Sequence, residues 1–94
     1  MKITIKYYGA SREVTRKNHE IITIQTKLTL KDIISILTKR YGKPLTQLML
    51  CEDGEPSDYL TYFIEGVNAN SLQGFSTELR DGDTVVIAPT IVGG

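Results

Sequence analysis

The last six residues, Pro89-Thr90-Ile91-Val92-Gly93-Gly94, hold the clearest chemical possibility in the chain. A carboxylate on Gly94 is ionised at neutral pH, since a terminal carboxyl titrates near about 3.3–3.7. In that form it is a poor electrophile. Transfer chemistry at its carbon requires ATP to convert it to an acyl-adenylate. Gly93 and Gly94 have no side chains, so the walls of a narrow channel can close around their backbone and unusual φ/ψ values cost little. Ile91 and Val92 can lie extended along an apolar groove, like a strand added to a partner. With glycine at about 7% of residues, two terminal glycines arise by chance about once in 200 chains. The ending therefore gains meaning only from the elements that would carry it.

Other residues that could do chemistry read more plainly. Cys51 follows Leu48-Met49-Leu50 and is expected to be a small buried hydrophobe. His19 sits alone in a polar stretch, with no cysteine or aspartate at metal-ligand spacing. Asp81 and Asp83 are expected to form a turn, because aspartate side chains bond their own backbone there. Glu52, Asp53, Glu55 and Asp58 make an acidic loop, expected to be solvated. Phe63 and Phe75 are expected in or near the core, and exposure of Phe75 would mark a partner interface. No glycine-rich phosphate loop and no Ser/His/Asp set is present. The chain is thus not expected to catalyse a reaction alone, nor to bind a cofactor or metal.

The elements follow from periodicity. Lys2 to Tyr8 alternates and is rich in β-branched and aromatic residues, which predicts a strand. Gly9 to His19 is polar and predicts a loop. Glu20 to Thr26 predicts a second, antiparallel strand. Thr29 with Asp32 forms an N-terminal capping pattern. Leu30, Ile33, Ile34, Leu37 and Tyr41 then fall on one helical face, closed by Gly42 and Pro44. Pro44 to Cys51 fits a short second helix. Leu60 to Val67 predicts a third strand, Asn68-Ala69-Asn70 a turn, and Ser71-Leu72 a brief strand. Phe75 to Leu79 reads as a short irregular or helical piece. After the Asp81-Gly82-Asp83 turn, Thr84 to Ala88 is apolar throughout, as for a strand buried on both faces. The first and last strands are the candidates for parallel central neighbours. This order predicts an α+β, β-grasp (ubiquitin-like) fold, a mixed sheet of four or five strands with one main helix on one face. Residues 1–89 would form the single domain and 90–94 a flexible C-terminal tail.

Bulk properties narrow the function. Net charge is zero, which argues against non-specific nucleic-acid binding. The charge is uneven: residues 1–51 carry ten Lys/Arg against three Asp/Glu, and residues 52–94 one against eight. Such polarity could orient docking onto a charged partner. Apolar runs such as Val85-Val86-Ile87-Ala88 fall far short of the roughly 20 residues of a membrane span. There is no apolar leader, and the one cysteine cannot form an internal disulfide, so a soluble cytoplasmic protein is expected.

The segment from Leu79 to Gly94 resembles the ending of the MoaD/ThiS sulfur carriers, with its Asp-Gly-Asp turn, apolar strand, proline and terminal Gly-Gly. Ile64-Glu65-Gly66-Val67-Asn68 resembles the family's upstream strand-turn segment. The resemblance spans the chain and is strongest to MoaD and its archaeal modifier relatives. Ile87 stands where MoaD proteins usually have an aromatic residue, Thr90 where many have a second proline, and the loop 52–58 is longer than in the smallest members. The resemblance implies adenylation of Gly94 by a ubiquitin-activating-like (MoeB-like) adenylyltransferase, then thiocarboxylate formation from a sulfur donor. It further implies docking of Pro89, Thr90, Ile91, Val92 and Phe75 on partners, among them a MoaE-like large subunit of molybdopterin synthase. Conjugation of Gly94 to protein lysines, or sulfur donation for thiamine or tRNA thiolation, are the alternatives it leaves open.

Overall fold

The computed structural model describes residues 1–91. Strand β1 (Lys2–Tyr7) turns Ile3, Ile5 and Tyr7 inward, the period of two that its sequence dictates on a pleated backbone. Strand β2 (His19–Thr23) pairs antiparallel to it, with Ile22 opposite Ile3. Between them the expected loop contains helix α1 (Ala10–Thr15). This helix buries hydroxyls instead of an apolar stripe. Ser11 Oγ donates to the Tyr8 carbonyl (3.0 Å), and Thr15 Oγ1 donates to the Ser11 carbonyl (2.9 Å). No hydrophobic period exists there to be read.

The two-residue strand β3 (Leu28–Thr29) leads into α2 (Leu30–Tyr41). The cap is reciprocal: the Asp32 N–H donates to Thr29 Oγ1 (3.3 Å) and the Thr29 N–H to Asp32 Oδ2 (2.9 Å). Leu30, Ile33, Ile34 and Leu37 are buried on one face of α2. Gly42, at φ 74°, ends it. Helix α3 (Lys43–Met49) starts at once, with Pro44 in its first turn, where no N–H is needed. Leu45 and Met49 bury its inner face. Cys51, just beyond, is exposed and not buried as its apolar neighbours suggested. The chain has already left α3 there, and the Cys51 N–H is held by the Glu55 carbonyl at 2.7 Å in the acidic loop.

The second half supplies β4 (Leu60–Ile64), β5 (Val67–Asn68), β6 (Glu78–Leu79) and β7 (Thr84–Pro89). Glu65 and Gly66, with φ of 50° and 78°, turn β4 into β5 as a type I′ hairpin requires. The turn thus precedes the one expected at 68–70. The brief strand is Val67–Asn68, and Ala69–Ser71 and Gly74–Ser76 form single 3₁₀ turns. Asp81-Gly82-Asp83 makes the turn read from sequence. The Arg80 N–H donates to Asp83 Oδ2 (2.8 Å), and the Lys2 N–H donates to Asp81 Oδ1 (2.6 Å), tying the turn to the start of β1.

The main sheet runs β2-β1-β7-β4-β5, with β1 and β7 parallel at its centre. A separate pair joins β3 and β6. Helix α2 packs on the inner face, where Ile3, Ile5, Val85, Ile87, Leu60, Tyr62 and Ile64 are buried with its apolar stripe. The result is a β-grasp fold. In β7 only Val85 and Ile87 are fully buried, while Thr84, Val86 and Ala88 are half-exposed. The strand is therefore covered on one face, because the helices all pack on that side and nothing among the described residues covers the other. No helix is long and apolar enough to cross a membrane among the described residues.

Candidate functional site: the root of the C-terminal tail

The site is the end of β7, and both neighbouring strands define it. On one side β1 pairs through Tyr7 opposite Ile87, and the Tyr8 N–H donates to the Ile87 carbonyl at 3.0 Å. On the other side β4 pairs through Thr61 opposite Ala88 and Leu60 opposite Pro89. The pairing extends one residue further, where the Thr90 N–H donates to the Tyr59 carbonyl at 3.0 Å. The Thr61 and Thr90 hydroxyls meet at 2.9 Å. Backbone groups alternate in direction along a strand, so position 89 would point its N–H toward β1. The β1 chain turns away there at Gly9 into α1. Pro89 therefore costs the ladder no hydrogen bond, which is how a central strand can end in proline.

Ile91 is 90% exposed, and Tyr59, beside the root, is 70% exposed. Tyr8 is also exposed on the β1 flank. Lys6, Arg12 and His19 line a notch of about 240 Å³ with Tyr8 on that flank. On the β4 flank lies a cleft of about 300 Å³ lined by Asp58, Tyr62, Asn70, Phe75 and Thr90 among others. Val92, Gly93 and Gly94, the other expected site residues, lie outside the described residues.

Phe75 is half-buried and packs edge-on against Tyr62, with ring centroids 5.5 Å apart at 78°. It joins the Thr90 cleft to the core. Burial pushes the Tyr62 hydroxyl well above the usual tyrosine range. That hydroxyl has no hydrogen-bond partner among the described residues.

Sequence reasoning missed the brace beneath the root. Glu20, its side chain 8% exposed, accepts hydrogen bonds from Tyr7 Oη (2.6 Å), Arg40 Nη1 (2.8 Å) and Tyr41 Oη. Lys17 Nζ lies 3.9 Å away. Burial opposes the charge on Glu20, but the bonds from Tyr41, Tyr7 and Arg40 prevail and hold its pKa below the ordinary carboxylate value. Burial first, and then Glu20, push the Tyr7 and Tyr41 hydroxyls up. Since Tyr7 faces Ile87 across β1 and β7, this cluster steadies the strand that ends at the tail. The only sequence signal for it was a glutamate at an inward position of β2.

No described side chain near the root forms a nucleophile–base pair. What the arrangement offers is a strand end held by its neighbours, with Ile91 exposed beyond it.

Comparison with known proteins agrees with this architecture. The chain matches the ThiS family over residues 5–94. A candidate sulfur carrier protein of Archaeoglobus fulgidus is 41% identical over 68 residues, covering 72% of this chain and 76% of that protein. Small archaeal modifier protein 3 of Haloferax volcanii is 27% identical over 94 residues, the full length of both. The crystal structure of small archaeal modifier protein 1 from Haloferax volcanii superposes with a TM-score of 0.81 over all of both chains, at 19% identity, a likeness of fold. From the family match and the Archaeoglobus relative, this chain belongs to the ThiS/MoaD family of ubiquitin-like sulfur carriers.

Proposed function

We propose that this chain carries sulfur on the carboxyl of Gly94 and donates it, in the cytoplasm, to a pterin precursor as the small subunit of a molybdopterin synthase. The observation that supports this most is that β7, paired to β1 through Ile87 and to β4 through Pro89, ends two residues before the exposed Ile91, from which the Val92-Gly93-Gly94 sequence would enter a partner. A partner adenylyltransferase joins the Gly94 carboxylate to the α-phosphorus of ATP and releases pyrophosphate. Hydrosulfide from a donor then attacks the carbonyl carbon. The bond to the AMP oxygen breaks, AMP leaves with the electron pair, and loss of a proton gives the thiocarboxylate. Its sulfur attacks an electrophilic carbon of the acceptor and displaces an oxygen leaving group, which departs with the electron pair; water then hydrolyses the resulting thioester, leaving the sulfur on the acceptor as a thiol and returning the Gly94 carboxylate. The chain contributes binding and presentation; the partners contribute the acid, base and metal chemistry.

Pro89, Thr90, Ile91, Val92 and Phe75 are the surface we assign to these partners. Deleting Gly94, or adding one residue beyond it, abolishes sulfur transfer on this reading. Retained transfer in either variant refutes it.

A second reading is conjugation of Gly94 to lysines of other proteins. It is favoured by one finding, the full-length similarity to a small archaeal modifier protein. Both readings use the same activated carboxyl. Peptides bearing Gly94 on a lysine side chain, sought in digests of cells expressing the protein, separate them; their absence leaves sulfur transfer alone.

A further inference from the structure

Beside the tail root, one glycine makes an approach that no other residue could make. Gly9 has φ +64° and begins α1, its carbonyl accepting from the Arg12 and Glu13 N–H groups at 3.0 and 3.2 Å. A Cβ placed there would lie 2.5 Å from Pro89 Cγ and 3.1 Å from Pro89 Cδ. Gly42, Gly54, Gly66, Gly74 and Gly82 also have positive φ, yet a Cβ on any of them meets nothing within 4 Å. Those five need glycine for the dihedral alone. At Gly9 the lost Cβ also makes room for a ring.

That ring is not a flexible side chain. It is fused to the backbone of β7 and fixes its φ. Moving it moves the end of the strand. On the opposite flank the strand end is held by the Thr90 N–H to Tyr59 and by the Thr61–Thr90 hydroxyl pair. Pro89 therefore sits between two holds, the turn at Gly9 and the edge of β4.

We propose that Gly9 is a positioning residue for the tail. By letting Pro89 seat against the turn into α1, it sets the direction in which Thr90 and Ile91 leave the sheet. It thereby sets the pose in which an activating enzyme meets the terminal carboxylate, a step that rests on the function proposed above. Restoring an ordinary carbon–carbon separation of about 3.5 Å would displace Pro89 by about 1 Å. A misplacement of that size can slow a positioned reaction by about 100-fold.

The test compares Gly9→Ala, Pro89→Ala and the double variant in the full chain. Two quantities are read: kcat/KM for adenylation by the host adenylyltransferase, and hydrogen-exchange protection of the Thr90 amide. Gly9→Ala should lower kcat/KM by about 10- to 100-fold. Thr90 protection should fall by about tenfold as its bond to Tyr59 is strained. The double variant should return both to the level of Pro89→Ala, because only Cβ, at 3.9 Å, is left of the ring atoms that the new side chain meets. Alanine strain at φ +64° is the same in the single and the double variant, so a loss of general stability would show no recovery. Wild-type rate and protection in Gly9→Ala, or a double variant as impaired as Gly9→Ala, overturns the proposal. If the wild-type chain is not adenylated at all, the proposed function fails instead, and Thr90 protection alone decides the role of Gly9.

Discussion

Replacing Glu20 by glutamine removes one charge from the brace under β7 and almost no volume. In the native chain the carboxylate satisfies the hydroxyl of Tyr7, a residue only 1% exposed, along with the Tyr41 hydroxyl and the Arg40 guanidinium. Hydrogen bonds to a charged group contribute about 1.5–3 kcal/mol each, and neutral ones about half that. The Arg40 side chain is 46% exposed, so its share is discounted to about 0–1 kcal/mol. A glutamine carbonyl can still accept from the tyrosines, while its amide faces Arg40 without attraction. The net loss at pH 7 is about 2 kcal/mol. For a domain of this size that lowers Tm by about 8–16 °C.

The pH dependence has a definite sign. The Glu20 pKa is held below its unfolded value of about 4.3, so its stabilisation is complete above that pH and is lost as pH falls through the folded pKa. Urea unfolding of both proteins, at pH 7 and in acid steps, should show a gap that closes in acid. A gap under about 0.5 kcal/mol at pH 7, or one that persists unchanged near pH 2, refutes the reasoning.

Three further outcomes are expected. Tyr62→Phe removes a buried hydroxyl that has no partner among the described residues, and should raise stability by about 1 kcal/mol in urea titration; a loss would mean the hydroxyl is satisfied. Arg16 closes α1 at φ 60°, so Arg16→Gly should stabilise by about 1 kcal/mol, read as a higher Tm. Phe75→Ala, at a half-buried position against Tyr62, should destabilise by about 2 kcal/mol. Titration calorimetry against the proposed large subunit, below the variant's unfolding range, should also show weaker binding; an unchanged Kd confines Phe75 to packing.

Much of the fold was legible because its signals are local and redundant. The capping pattern of Thr29 and Asp32, the stripe Leu30-Ile33-Ile34-Leu37 and the stop at Gly42 all point to one helix, and the structure has it. The parallel centre followed from the order of the elements, with the first and last strands as the central pair. What escaped lacked an apolar period. Helix α1 packs through Ser11 and Thr15, and β5 is two residues long with Val67 exposed. The hairpin turn at Glu65-Gly66 was hidden because glutamate rarely takes positive φ. Here its Oε1 accepts the Thr84 N–H at 2.7 Å, which offsets the strain. The site divided in the same way. Pro89, Thr90 and Ile91 were readable from the sequence ending, but Gly9, eighty residues away and set against Pro89, was not. That contact exists only once β1 and β7 are paired.

The central claim is that the Gly94 carboxyl is activated and loaded with sulfur. The most direct measurement is the intact mass of the protein after incubation with ATP, the host adenylyltransferase and a sulfide source. A gain equal to one sulfur replacing one oxygen is expected, absent when ATP is omitted and absent from a variant lacking Gly94. An unchanged mass, under conditions where the same enzyme loads another carrier, contradicts it.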